Sequence, residues 1–344
     1  MLIAPSAERL ALREAPPGGE LAALLAPVAP ATFARDLFGR APLFVKGFSA
    51  KYRGFFDAET FATALQAPGP YPPDFVRASF DKKNSSGRSA MPDDRTAPRS
   101  AVFRASPDQA TALFDAGATL CVSQLETRVA TLAAFAAAVK RQLGFPGKAS
   151  FNAYLSPPGS GFNWHFDARI ASTLQIAGTK RWRWSRTPSV AWPRANGTLL
   201  ADGTPRYADP GVVARAGELA ALDENDVDEV MLEPGDLLVL PAGVWHEACG
   251  GDGGSLALNL SFTPLSYTAV AHALLDGLLA GDPAWRAAGC LPYAGDGAPD
   301  ADAFAEVRAQ LRRAGEVLHE VAGDDAAIAT VWERLVQDPR SRPS

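Results

Sequence analysis

The chain has 344 residues, 47% of them apolar, and a formal net charge of −5, enough material for a sizeable core and no global attraction to nucleic acid or anionic membrane. Three widely spaced cysteines (Cys121, Cys249 and Cys290) without a CxxC exclude a disulfide framework and fit a reducing compartment. No apolar run reaches the roughly 18 residues of a membrane span, and the N-terminus lacks a secretory pattern, so a cytoplasmic protein with no membrane and no direct nucleic-acid partner is expected.

Residues 1–30, rich in Ala, Pro and Gly, predict loose structure with one short helix near 20–25, and 30–38 reads as a second helix. Residues 40–47 read as a strand ending at Gly47, and 58–65 as a further short helix. From Pro68 to Pro107 the composition shifts to Pro, Ser, Asp and basic residues. That composition fits a solvated loop with a strand or two, and equally a cover over a substrate, since long loops in compact domains are often lids. Residues 107–116 predict a helix closed by Gly117, and 118–123 a strand. The clearest helix is 127–143, where Val129, Leu132, Phe135, Ala136 and Val139 recur at helical spacing and Lys140, Arg141 and Gly144 mark its end.

Residues 150–155 predict a strand, 157–161 a turn, and a new strand starts near Asn163. Gly178 is expected to break 173–176 from 180–184, giving a hairpin-like pair. Residues 186–230 form a long excursion whose acidic run (Asp223, Glu224, Asp226, Asp228, Glu229) reads as a solvated face. Short strands at 230–232, 236–240 and 255–262 have the even spacing of a sandwich or barrel. After Pro264 the pattern is helical at 268–279, 302–321 and 324–335. The division expected is an N-terminal part (1–116) with a possible lid segment, a β core (117–266) and a helical C-terminal region (267–344).

The chemistry concentrates at His165-Phe166-Asp167. Residues two apart on a strand share a face, so an imidazole and a carboxylate can converge on one ion. His246 follows the buried-strand pattern of residues 235–241 and supplies a second imidazole. Two histidines and one carboxylate with open coordination positions describe a non-haem Fe(II) site. A lone HxD is weak evidence, because most histidines are simply hydrogen-bonded. The ordered set of HxD, Lys180, Gly235-Asp236-Leu237-Leu238 and His246 is stronger. The remaining histidines, His272 and His319, fall in predicted helices and read as structural or exposed. Lys180 is either an exposed strand lysine or, if it faces inward, a residue that requires an anion.

The stretches 152–162 (Asn-Ala-Tyr-Leu-Ser-Pro-Pro-Gly-Ser-Gly-Phe), 174–182 (Leu-Gln-Ile-Ala-Gly-Thr-Lys-Arg-Trp) and 241–246 (Pro-Ala-Gly-Val-Trp-His), with the HxD and Gly-Asp-Leu-Leu motifs, resemble the JmjC-type cupin oxygenases. The nearest likeness is to the ribosomal-oxygenase branch, which hydroxylates histidine or arginine in ribosomal proteins. The resemblance covers about 117–264 strongly and 30–60 faintly. It implies a mainly β fold, a double-stranded β-helix (cupin/JmjC jelly roll) with flanking helices and an α-helical C-terminal region. It implies that His165, Asp167 and His246 bind Fe(II), and that Lys180 holds the distal carboxylate of 2-oxoglutarate. Ser261, Asn259, Asn152 and Tyr154 match polar positions around that co-substrate, and O2 is the oxidant.

The reaction so implied is hydroxylation of a C–H bond of a protein or peptide side chain, with succinate and CO2 released. A ribosomal protein is one candidate substrate, and the C-terminal helices are expected to form a homodimer. Two departures bear on the substrate. Ala168-Arg169-Ile170-Ala171-Ser172-Thr173 stand where relatives carry acidic or aromatic residues, and the 80 residues after Pro264 are too few for both a dimerisation region and a winged helix. The alternatives are a small molecule or peptide natural product as substrate, a cupin with HxH and no 2-oxoglutarate, and a non-catalytic JmjC-like binding module.

Overall fold

The computed structural model describes residues 2–3, 10–71, 74–81, 100–200, 202–207, 221–287 and 303–337. Half of the possible lid segment 68–107, residues 72–73 and 82–99, lies outside them. The chain divides into two compact units, 1–143 with 149–263, and 144–148 with 264–344.

In the first unit, short helices precede and flank the strands: α1 (Glu20–Leu25), α2 (Pro30–Thr32), α3 (Ala58–Gln66), α4 (Pro107–Asp115) and α5 (Ala130–Gln142). α2 runs directly into a π turn at Phe33–Leu37. Local chemistry sets their starts. Asp57 caps α3 by accepting from the Thr60 N–H at 2.8 Å, and Pro107 opens α4 where a missing N–H costs nothing. α5 begins three residues later than the periodicity suggests, after a 3-10 turn at Leu125–Thr127, and buries the expected stripe of Leu132, Phe135, Ala136 and Val139.

The strands are β1 (Leu2–Ile3), β2 (Leu43–Val45), β3 (Val76–Asp81), β4 (Ser100–Ala105), β5 (Thr119–Val122), β6 (Lys148–Ser156), β7 (Gly161–Phe166), β8 (Ile170–Pro188), β9 (Gly197–Leu199), β10 (Pro205–Tyr207), β11 (Val227–Leu232), β12 (Leu237–Leu240) and β13 (Val244–Thr263). They form one continuous ladder, but β8 and β13 each serve two layers. Residues 171–178 of β8 pair with β12 and with 255–261 of β13, in the order β1-β2-β12-β8-β13-β6-β5-β3-β4. Beyond the bend, 180–185 of β8 pair with β11 on one side and with 246–250 of β13 on the other, and β13 there also pairs with β7.

The hairpin expected at Gly178 is therefore wrong. β8 runs unbroken for 19 residues, and its two halves pair with β13 and not with each other. Gly178 makes the bend possible: its φ is +62°, and a Cβ there would collide with the carbonyl oxygen of Gly254, itself at φ +73°. The bend folds the ladder over a core of Phe44, Leu238 and Leu240 from one layer and Trp182, Trp184, Leu232 and Val244 from the other. This is the double-stranded β-helix that the sequence motifs imply.

Two sequence features turn out to serve the frame. The buried Asp236 carboxylate accepts from the N–H groups of Gly47 and Glu233, both at 2.9 Å, and from Lys46 at 3.1 Å, which ties β2 to the entry of β12. The acidic run is more than a solvated face, because Arg183 contacts Glu224 at 2.6 Å and Arg186 contacts Asp228 at 2.9 Å along the β8–β11 edge.

The second unit contains α6 (Tyr267–Leu279), α7 (Pro283–Arg286), α8 (Ala303–Ala322) and α9 (Asp325–Gln337). His272 and His319 are exposed on α6 and α8. No helix among the described residues is long and apolar enough to cross a membrane.

Candidate metal centre and its cavity

β7 and β13 pair with His165 opposite His246, and the two imidazole centroids lie 4.2 Å apart. Asp167 stands just past the end of β7, where the chain turns toward Ile170, so the HxD is half strand and half strand exit. One ligand atom from each of His165, Asp167 and His246 lies within 4.8 Å of the others.

The backbone fixes which nitrogen each imidazole offers. Nδ1 of His165 is 2.7 Å from the Asn163 carbonyl oxygen, and Nδ1 of His246 is 2.9 Å from that of Val244. A carbonyl only accepts, so both Nδ1 atoms carry the proton and both Nε2 lone pairs are free. Burial holds the His246 ring at a pKa of about 4, with His165 acting in the same direction and Asp167 opposing. Burial would raise the Asp167 carboxyl, but Arg169, His165, His246 and Arg77 together hold it below the usual carboxylate range. Two imidazoles that each offer Nε2, together with a carboxylate, are a donor set that fits a divalent first-row cation such as Fe(II).

These three side chains line a cavity of about 610 Å³. Lys180 lines the same cavity, 1% exposed, with Nζ 3.3 Å from Ser156 Oγ and 5.5 Å from the centre of the Tyr154 ring. Burial pulls its pKa down to about 8, against the pull of Cys121 and Cys249. Among the described residues no carboxylate pairs with it. Strand alternation explains the placement: Lys180, Trp182 and Trp184 point inward from β8, whereas Arg181 and Arg183 contact acidic residues of the β11 edge. The Trp182 indole N–H, also on the cavity wall, is buried without a partner. A buried ammonium and an unsatisfied N–H in one chamber fit a carboxylate-bearing ligand such as 2-oxoglutarate.

The remaining expected residues separate into two groups. Tyr154 and Asn259 line the cavity. Asn152 and Ser261 stand behind them in a buried chain: Asn152 Nδ2 donates to Ser261 Oγ at 3.3 Å, Ser261 donates to Asn259 Oδ1 at 2.7 Å, and Asn259 Nδ2 donates to Thr173 Oγ1 at 3.2 Å. Arg169, Ala171 and Thr173 of the stretch 168–173 also line the cavity, as do Arg77, Asn196, Thr198 and Arg206, which were not singled out from sequence. Arg77 sits in the basic segment read as loop or lid, where only the strand pairing of β3 with β5 shows which arginine turns inward.

Known proteins similar to this chain share its fold. Residues 128–270 match the JmjC domain family. The uncharacterized protein YxbC of Bacillus subtilis (strain 168) is 30% identical over 186 residues, 54% of this chain and 56% of that one. Ribosomal oxygenase 1 of Gallus gallus is 30% identical over 242 residues, 69% of this chain and 35% of that one. The chain thus spans from about a third to just over half of these relatives. Among solved structures, YcfD, a ribosomal oxygenase from Escherichia coli in complex with cobalt and 2-oxoglutarate, superposes with a TM-score of 0.54 at 14% identity, over 92% of this chain and 73% of that one. That likeness establishes the shared fold.

Proposed function

We infer, from the premise that residues 128–270 of this protein are a JmjC domain, that it is an Fe(II)- and 2-oxoglutarate-dependent oxygenase. It would hydroxylate a C–H bond of a protein or peptide side chain. One O2 and one 2-oxoglutarate are consumed per C–H converted to C–OH, with one oxygen atom entering the product, the other entering succinate, and CO2 leaving. The observation that carries this reading is Lys180, a fully buried ammonium without an anionic partner among the described residues, facing the same cavity as the His165, Asp167 and His246 cluster.

Fe(II), when bound by those three side chains, would supply the coordination positions at which a 2-oxoacid and dioxygen react. Everything else falls to the protein. Lys180 would hold the distal carboxylate by a charge-assisted hydrogen bond, and the Trp182 N–H offers a second donor on the same wall. Asn259, fixed by Ser261 and Thr173, presents a polar edge whose orientation is set before any ligand arrives. Phe162, Trp182, Ala171, Ala248 and Ala257 supply the apolar stretches of the wall.

The relatives named ribosomal oxygenase support a protein substrate, with ribosomal proteins as first candidates. The proposed homodimer has a physical basis in the second unit, where Tyr267, Leu278, Phe304 and Leu311 are exposed apolar side chains of α6 and α8. The test of function is incubation of the protein with Fe(II), 2-oxoglutarate and a cell extract or ribosomal peptides, followed by mass spectrometry. A +16 Da product formed with the wild type, absent with His165→Ala and matched by succinate release, is the expected result. No such product, together with no 2-oxoglutarate consumption, would remove the reading.

A further inference from the structure

We infer that the group this site acts upon is anionic: a peptide side chain bearing a carboxylate or phosphate, gripped by Arg77 and Arg169 with Arg206 at the rim. The inference rests on the oxygenase reading above and deepens it by naming the substrate class.

Charge is the argument. Among the described residues, four cationic side chains (Arg77, Arg169, Lys180 and Arg206) and one carboxylate (Asp167) line the cavity. A divalent metal and a dianionic 2-oxoglutarate cancel, and Lys180 and Asp167 offset each other. Three arginines are left over, and a guanidinium stays charged at every accessible pH. Neither the Arg169 nor the Arg206 side chain has an ion pair or hydrogen bond among the described residues. Among the described residues Arg77 donates only to weak or distant acceptors, Cys121 Sγ at 3.2 Å and Ser123 Oγ at 3.5 Å, and its Nε–H is buried without a partner.

Position agrees with charge. Arg77 and Arg169 line the same cavity as Asp167 and Tyr154, and both act electrostatically on those two groups. A basic side chain entering this chamber would meet three guanidiniums and nothing of opposite sign to receive it.

The experiment uses the full chain loaded with Mn(II) and 2-oxoglutarate without oxygen. Fluorescein-labelled heptapeptides, identical except for a central Asp, Glu, phosphoserine, Gln or Arg, are titrated by anisotropy. The acidic centres should bind at least about tenfold more tightly than Gln, and Arg should bind most weakly; the order of Asp and Glu against phosphoserine separates carboxylate from phosphate. Arg169→Gln and Arg77→Lys should each weaken the acidic peptides about tenfold while calorimetric affinity for 2-oxoglutarate stays within twofold. Arg169→Glu should shift preference toward the Arg peptide. Should the Gln or Arg peptide bind as tightly as the acidic ones, or the arginine variants lose 2-oxoglutarate in place of peptide, the inference is overturned alone. A wild type that binds neither Mn(II) by paramagnetic resonance nor 2-oxoglutarate overturns the oxygenase reading and the inference with it.

Discussion

At the scale of residues, Lys180 decides between an oxygenase and other metal cupins. Removing it would leave a desolvated carboxylate unpaired, at roughly 2–5 kcal/mol for a buried charge pair. That corresponds to about one to three and a half decades of affinity at 1.4 kcal/mol per decade. Lys180→Ala should therefore raise the 2-oxoglutarate Kd by that factor while Mn(II) binding changes little, as measured by anaerobic calorimetry. Protonation gives a second signature. With its pKa near 8 in the free protein, Lys180 is charged at pH 7, and binding a dianion there requires no proton. Above pH 8 binding must take one up, so affinity should fall about tenfold per pH unit. Calorimetry in buffers of different ionisation enthalpy should record that proton uptake at pH 9 and none at pH 7. The linked stability has the opposite sign from an ion pair. The unfolded chain protonates this lysine near 10.5 and the folded one only near 8, so the ligand-free protein loses stability as pH falls through that window. Lys180→Met should remove that loss, as read from urea midpoints at pH 8 and 10.

At the scale of elements, the bend in β8 joins fold to site. Gly178→Ala forces a side chain into left-handed backbone, about 1–2 kcal/mol, and against the Gly254 carbonyl as well. Gly117 has φ +96° but open space around it, so Gly117→Ala should cost only the conformational part. Urea unfolding should show Gly178→Ala as clearly the more destabilised of the two, with weakened 2-oxoglutarate binding, since Lys180 lies two residues past the bend. This bend also marks where the sequence stops being readable. Strand positions, the long helix and the convergence of His165, Asp167 and His246 followed from periodicity and motif. Whether a glycine ends a strand or folds it over depends on a partner some 75 residues away, and nothing local to Gly178 encodes the Gly254 carbonyl. The same holds for Arg77, which composition placed in a loop and pairing with β5 turned toward the cavity. Asn152 and Ser261 were legible as polar, but not as the rear of a chain whose front is Asn259.

For the molecule as a whole, the exposed apolar side chains of α6 and α8 predict self-association of the full chain at tens of micromolar. Leu311, 66% exposed on α8, is the sharpest probe. Leu311→Glu should shift light-scattering mass toward the monomer without altering Mn(II) binding, and a strict monomer in the wild type would rule the dimer out. The pairing of His165 with His246 has a further consequence, for the rates of opening and closing. An ion held there is a reversible cross-link between β7 and β13. It closes a chain segment whose ends an unfolded chain seldom brings together, because closure entropy grows with the length spanned. Such a link binds the native state and not the unfolded one, and it forms only after β13 has docked beside β7. Interactions absent from the folding transition state act on the unfolding limb. Mn(II) should therefore slow unfolding in urea in a saturable way and leave the refolding rate unchanged, and His246→Ala should abolish the dependence.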